Sequence, residues 1–148
     1  MNIPAKEFIF ASIFLLSNKL QTLGDSLLQE ITLKQWLLLM TIDSLKKDPL
    51  SVTELAVFIG SSRQNVRKML GTLENKGYVN LLQNTQDKRN LSVSLTAKAR
   101  DFFVRFEPNG DAFLVQLFEG VTLHQLECTK TTMETLFENH ERMEQKYE

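Results

Sequence analysis

The chain has 148 residues, 43% of them hydrophobic and 24% charged, with a formal net charge of −1 and one cysteine. That suits a single globular domain or a compact module with helical extensions. One cysteine excludes an internal disulfide, so a cytoplasmic protein is expected. The net charge hides an asymmetry. Ser51 to Arg105 carries nine cations against four anions, Phe106 to Glu148 three against nine, and the first fifty residues five of each. A basic middle between a neutral and an acidic flank suits a polyanion, although solvated helix faces would also produce it.

A first helix is expected from about Ala5 to Thr22. Its stretch FIFASIFLL (Phe8 to Leu16) is apolar all round but too short to span a bilayer, and no cationic start or cleavage site frames it as a targeting signal. An all-round apolar helix in so small a protein points to burial against a second copy of the chain. A second helix is expected over Leu33 to Leu45, and KKDP (Lys46 to Pro49) reads as a turn. A short helix from Val52 to Ile59 and one from Ser62 to Lys76 follow, with Gly77 as the left-handed residue past the helix end. Strands are expected near Tyr78 to Gln83 and Leu91 to Leu95, then a long helix after Thr96 and a last one from Leu123 to about Gln145. Pro108 and Gly110 predict a kink or short break near Glu107 to Asp111.

Four capping boxes mark helix starts: Thr32 with Gln35, Ser51 with Glu54, Ser61 with Gln64, and Thr122 with Gln125. In each, the hydroxyl and the amide or carboxylate satisfy one another's orphan N–H groups. Hydrophobic staples pair Ile31 with Trp36, Leu50 with Leu55 and Val121 with Leu126.

The segment ELAVFIGSSRQNVRKML (Glu54 to Leu70) spaces a small residue, a glycine and an apolar residue: Ala56, Gly60 and Val66. The first helix needs a small residue where the second crosses it, the turn needs positive φ, and the second helix needs an apolar residue facing back. This is a helix-turn-helix, with Leu55, Ile59, Leu70 and Leu73 as further core positions. Arg63, Gln64, Asn65, Arg67, Lys68 and Thr72 are left facing outward, and no acid occurs from Ser61 to Leu73. Arginine suits guanine and amides suit adenine, while Ser61, Ser62 and the helix N-terminus suit phosphate. A solvated helix face is the bland alternative.

TQDKRNLSVSLT (Thr85 to Thr96) begins polar and ends in strand-like alternation. A hairpin directly after a helix-turn-helix is a wing, and its tip (Asp87, Lys88, Arg89) can reach a minor groove. Arg89 is the residue expected to insert, held by Asp87; an ordinary hairpin tip with a weak surface ion pair is the alternative. The fold expected is mainly α (α+β): a winged helix-turn-helix with a small β-hairpin wing between flanking helices.

DKRNLSVSLT and LENKGYV (Leu73 to Val79), set among these helices, resemble the MarR family of transcriptional regulators. Asp87, Arg89, Asn90, Leu95 and Thr96 match the wing signature, and the resemblance covers essentially the whole chain. It implies a homodimer built from the first and last helices, binding double-stranded DNA at a pseudo-palindromic operator, usually as a repressor. It also implies release by a small aromatic or phenolic effector, a metal or an oxidant. The layout is then 1–45 for N-terminal dimerisation and support, 50–96 for the DNA-binding domain, and 97–148 for C-terminal dimerisation. Phe8, Ile9 and Ile13, with Leu126, Met133, Leu136 and Phe137, are the candidate dimer contacts; Met143 extends the last stripe. Two features depart from a regular pattern. Gly71 inside the recognition helix costs roughly 1 kcal/mol relative to alanine and suits close approach of backbone to DNA or to a neighbouring helix. Pro108 bears on the spacing of the two DNA-binding lobes.

Other chemistry is not expected. Cys128 reads as a small buried hydrophobe rather than a redox sensor, and His124 with Cys128 supplies too few ligands for a zinc site unless Glu127 or His140 of a second copy completes it. Asp25 and Glu30 are isolated carboxylates, and no phosphate loop, paired-histidine motif or nucleophile elbow occurs, so neither an enzyme nor a cofactor is expected. Trp36, Phe14 and Phe106 are candidate linings of an effector cavity, with ordinary core as the preferred reading. The competing class is a winged-helix protein-interaction module without sequence-specific DNA binding. An acidic or apolar recognition face would favour it, and this face carries cations and amides.

Overall fold

A computed structural model describes residues 3–47, 50–83 and 90–147. In chain order these form helix α1 (Ala5–Leu28), helix α2 (Leu33–Leu45), strand β1 (Leu50–Ser51), helix α3 (Val52–Phe58), helix α4 (Arg63–Asn75), strands β2 (Val79–Gln83) and β3 (Asn90–Leu95), and helices α5 (Ala97–Leu117) and α6 (Leu123–Tyr147). The chain divides into two compact units, Met1–Phe106 and Glu107–Glu148. Among the described residues no helix is long and apolar enough to cross a membrane.

Local chemistry accounts for the element ends. Thr32 and Gln35 form the expected capping box at α2, with Gln35 N–H donating to Thr32 Oγ1 at 3.2 Å and Thr32 N–H to Gln35 Oε1 at 3.1 Å. Ser51 with Glu54 does the same at α3, and Thr122 with Gln125 at α6. Glu54 also pairs with Lys47. The fourth box does not form. Ser61 closes α3 instead, its N–H donating to Ala56 O at 2.9 Å while Gly60 N–H reaches Val57 O at 3.2 Å. This is a Schellman closure, in which the residue after the left-handed glycine is spent on the preceding helix. Ser62 therefore caps α4, its Oγ accepting from Asn65 N–H at 3.2 Å.

Helix α1 runs six residues past the expected end at Thr22, through Gly24 to Leu28. Gly24 does not end it because the glycine serves packing: a Cβ there would lie 2.9 Å from a Leu33 methyl group. The helix stops at Gln29, whose φ is 55°. Asp25 is not an isolated carboxylate, since its Oδ1 accepts from Leu33 N–H at 2.6 Å and ties the end of α1 to the start of α2. Residues 97–117 are helical throughout, Pro108 included, so of the expected kink or short break the short break is absent.

The sheet is antiparallel in the order β1-β3-β2. Sequence reading gave only the hairpin; β1 is too short to show alternation, and it is held by pairing Leu50 with Leu91 and Ser51 with Asn90. In the hairpin Val79 pairs with Leu95 and Leu81 with Val93. Val79, Val93 and Leu95 are buried while Asn80, Leu82 and Ser94 face out, the alternation expected of a half-buried strand. The core joins Leu28, Ile31, Leu38, Leu39 and Ile42 to Leu50, Val52 and Leu55 and to Val66, Leu70 and Leu73 of α4, and closes with Tyr78, Val79, Ala99 and Phe102. Two of the three expected staples, Ile31–Trp36 and Leu50–Leu55, lie in or against this core, whereas Val121 is exposed.

Candidate nucleic-acid interface

Helices α3 and α4 form the helix-turn-helix. Ala56 and Val66 are buried and Gly60 takes φ +61°, so each member of the triple meets its expected demand. Leu55, Leu70 and Leu73 are buried and Ile59 packs against them from a half-buried position. Because Val66, Leu70 and Leu73 anchor one stripe of α4, the opposite stripe is fixed. Arg63, Gln64, Asn65, Arg67 and Lys68 are all exposed. Asn65 is partly held in place, its Nδ2 donating to Ser61 Oγ at 3.3 Å. Thr72 lies on the flank, half-buried, and its hydroxyl donates to Lys68 O at 3.0 Å. It is the least available of the recognition-helix candidates. Ser61 is half-buried and Ser62 exposed at the helix start, where the partial positive charge of the helix end favours anions.

The second half of the helix-turn-helix is braced by a polar cluster that the sequence did not reveal. Glu30 is not isolated. Its carboxylate accepts from Tyr78 Oη at 2.6 Å and from Arg105 Nη1 at 3.2 Å. Its carbonyl accepts from Lys76 Nζ at 2.8 Å, and Lys76 O accepts from Lys98 Nζ at 2.7 Å. Lys98 also lies 4.7 Å from the centroid of the Tyr78 ring, and Tyr78 meets Phe102 edge to face at 5.7 Å. The Tyr78 hydroxyl, followed by Arg105, holds the Glu30 carboxyl below its usual value. Burial, and then the Glu30 carboxylate, push the Tyr78 hydroxyl up to about 12. The cluster ties the end of α4 to the α1–α2 connection and to α5. It also divides the basic middle of the chain: Lys76, Lys98 and Arg105 are engaged in structural bonds, whereas Arg63, Arg67 and Lys68 are presented outward on α4.

The wing is anchored at its base. Gly77 takes φ +79°, Tyr78 N–H reaches Leu73 O at 2.9 Å, and Thr96 Oγ1 donates to Gly77 O at 2.7 Å. Thr96 Oγ1 also accepts from Ala99 N–H at 3.3 Å at the start of α5, and Leu95 is buried. The Leu-Thr pair thus closes the hairpin and opens the next helix. Asp87, Lys88 and Arg89 lie outside the described residues.

The remaining candidates fall as follows. Phe8, Ile9 and Ile13 of α1 are exposed, as are Leu136 and Phe137 of α6, while Leu126 and Met133 are half-buried. Phe106 stacks on Phe102 with centroids 5.8 Å apart and Trp36 packs against the core, whereas Phe14 is exposed. Cys128 is exposed rather than buried, and its Sγ lies 3.6 Å from His124 Nε2. Among the described residues no group of three or more His, Cys, Asp or Glu could hold a metal ion.

The sequence profile of the MarR family matches residues 31–91, the span from just before α2 to the first residues of β3. Over that central segment the chain is similar to the MarR family. It is 26% identical over 107 residues to the transcriptional repressor MprA of Escherichia coli K12, a match covering 72% of this chain and 61% of that protein. Solved MarR structures share the fold. A MarR protein from Peptoclostridium difficile superposes with a TM-score of 0.84 at 19% identity, covering 100% of this chain and 97% of that one. The MarR-family regulator Sco3205 of Streptomyces coelicolor, solved in complex with DNA, gives 0.79 at 22% identity over 94% and 90% of the two chains. The MepR–DNA complex of S. aureus gives 0.74 at 20% identity over 91% and 99%.

Proposed function

We propose that this chain is a dimeric, sequence-specific DNA-binding regulator of transcription, acting as a repressor on a pseudo-palindromic operator in the cytoplasm. The observation that carries the reading is helix α4. Its buried stripe locks it into the core, and its outward stripe presents Arg63, Gln64, Asn65, Arg67 and Lys68 without an intervening acid. These groups pair with base edges and phosphates. The similarity to MprA, and the fold shared with two proteins solved on DNA, support it. In this reading residues 50–96 bind DNA, residues 1–45 and 97–148 dimerise, and the tip residues Asp87, Lys88 and Arg89 act in the minor groove. Release by a small aromatic effector belongs to the same proposal, and quenching of the single Trp36 by phenolic compounds, together with loss of DNA binding, is its check.

The deciding experiment is selection of bound duplexes from a random DNA pool, with Arg89→Ala and Arg67→Ala in parallel. One inverted repeat with half-sites about 10 base pairs apart is expected. Arg67→Ala should relax base preference at a defined position by about 1–3 kcal/mol, and Arg89→Ala should weaken binding. Recovery of no consensus, with weak binding that vanishes near physiological salt, would overturn the reading in favour of a protein-interaction module.

A further inference from the structure

Gly71 occupies the ninth position of α4, inside the helix rather than at its end. Glycine in a helix interior is destabilising relative to alanine, so its presence calls for a reason. Three other glycines have reasons within the chain. Gly24 makes room for Leu33, while Gly60 and Gly77 take positive φ. Gly71 has neither reason: its φ is helical, and among the described residues a Cβ built on it meets no atom within 4 Å. The neighbouring-helix explanation therefore fails among the described residues.

Its place on the helix supplies the other explanation. Gln64, Lys68, Gly71 and Asn75 follow one another at helical spacing on the stripe opposite Val66, Leu70 and Leu73. Gly71 thus lies one turn beyond Lys68, half-buried at the edge of the outward face, roughly 12 Å along the axis from Arg63 at 1.5 Å per residue. A helix with side chains is about 10–12 Å across and the major groove about 12 Å wide. A helix crossing the groove at an angle meets the sugar-phosphate wall along its second half, and a bare backbone there lets the axis settle closer.

We infer that Gly71 is a positioning residue for DNA: the missing side chain sets how deeply α4 seats in the major groove, and so which of Arg63, Gln64 and Arg67 reach base edges. This rests on the DNA-binding reading above. It makes folding and binding move in opposite directions on substitution. Gly71→Ala should raise the melting temperature by about 2–5 °C, because alanine favours the helix and meets nothing among the described residues. The same variant should bind the duplex selected by the unsubstituted protein about tenfold more weakly, and Gly71→Leu at least about a hundredfold more weakly, with circular dichroism and sedimentation unchanged. Unsubstituted binding affinity in both variants overturns the inference while leaving the DNA-binding reading intact. A lower melting temperature for Gly71→Ala, or a changed oligomeric mass in either variant, overturns it too, since the position would then serve packing or assembly. If the unsubstituted protein selects no duplex, the DNA-binding reading fails first and this inference with it.

Discussion

The hydroxyl of Tyr78 illustrates how one group couples distant parts of the chain. It lies 48 residues from Glu30 in sequence and 2.6 Å from its carboxylate in space. A hydrogen bond to a charged acceptor stabilises more than a neutral one, so Tyr78→Phe should lower stability by about 1–2 kcal/mol, read by denaturant unfolding. The pH dependence identifies the cause. The folded hydroxyl titrates at about 12, against about 10 for an unperturbed tyrosine. A raised folded value means stability that is complete below the unfolded value and lost as pH rises through the folded one. The parent protein should therefore lose stability between about pH 10 and 12, and Tyr78→Phe should lose less there. Equal alkaline losses would remove Tyr78 from the account. At the acid end Glu30 is depressed, so its contribution is present above the usual carboxylate range and fades as pH falls below it. None of this was legible in the sequence. Glu30 stood as an isolated carboxylate because its partners come from the turn between α4 and β2 and from α5, and local spacing carries no information about such distant pairs.

Elements were far more legible, because their signals are local. Thr32, Ser51 and Thr122 marked helix starts correctly, and Gly60, Gly77 and the alternation of Val93 and Leu95 fixed the turn, the helix end and the wing strand. The errors arose where two local rules competed. Ser61 had the spacing of a capping box with Gln64, but closure of α3 claimed its N–H first and passed the cap to Ser62. Pro108 signalled a kink or a short break, and the short break does not occur, because proline removes only one backbone hydrogen bond and the helix continues through it. The cap assignment has a direct test. Ser62→Ala should cost about 1 kcal/mol of stability, as loss of an N-cap does, whereas Ser61→Ala should cost a few tenths. The reverse order would restore Ser61 as the cap. The recognition helix needs its anchor as much as its cap: Val66 is fully buried, so Val66→Ala should cost about 2 kcal/mol through lost transfer energy and the cavity left behind. Binding by the folded fraction of that variant should fall as well, because the same side chain holds α4 against the core.

At the scale of the whole molecule, the apolar surface of α1 decides what the chain requires. Phe8 is 60% exposed, and Phe10, Phe14, Leu15 and Leu16 are each more than half exposed on the same helix. Exposed apolar patches of more than a few hundred Å² mark interaction surfaces, and an all-round apolar helix is covered on several sides. The proposed function supplies the occupant, a second copy of the chain, since an inverted repeat is matched by a protein with two-fold symmetry. Ile13→Asp introduces a charge that a dry interface cannot solvate, and it leaves the fold alone because Ile13 is outside the buried core. Sedimentation should report a dimer for the parent and a monomer for Ile13→Asp, with unchanged helical content. The effect on DNA follows from effective concentration. Two linked recognition helices engage two half-sites together and gain about 10²–10⁴ over one, so the monomeric variant should bind the inverted repeat at least about a hundredfold more weakly and a single half-site with parental affinity. A variant that stays dimeric, or a monomer that still holds the full repeat as tightly as the parent, would separate the apolar face of α1 from DNA recognition and leave that face in need of another partner.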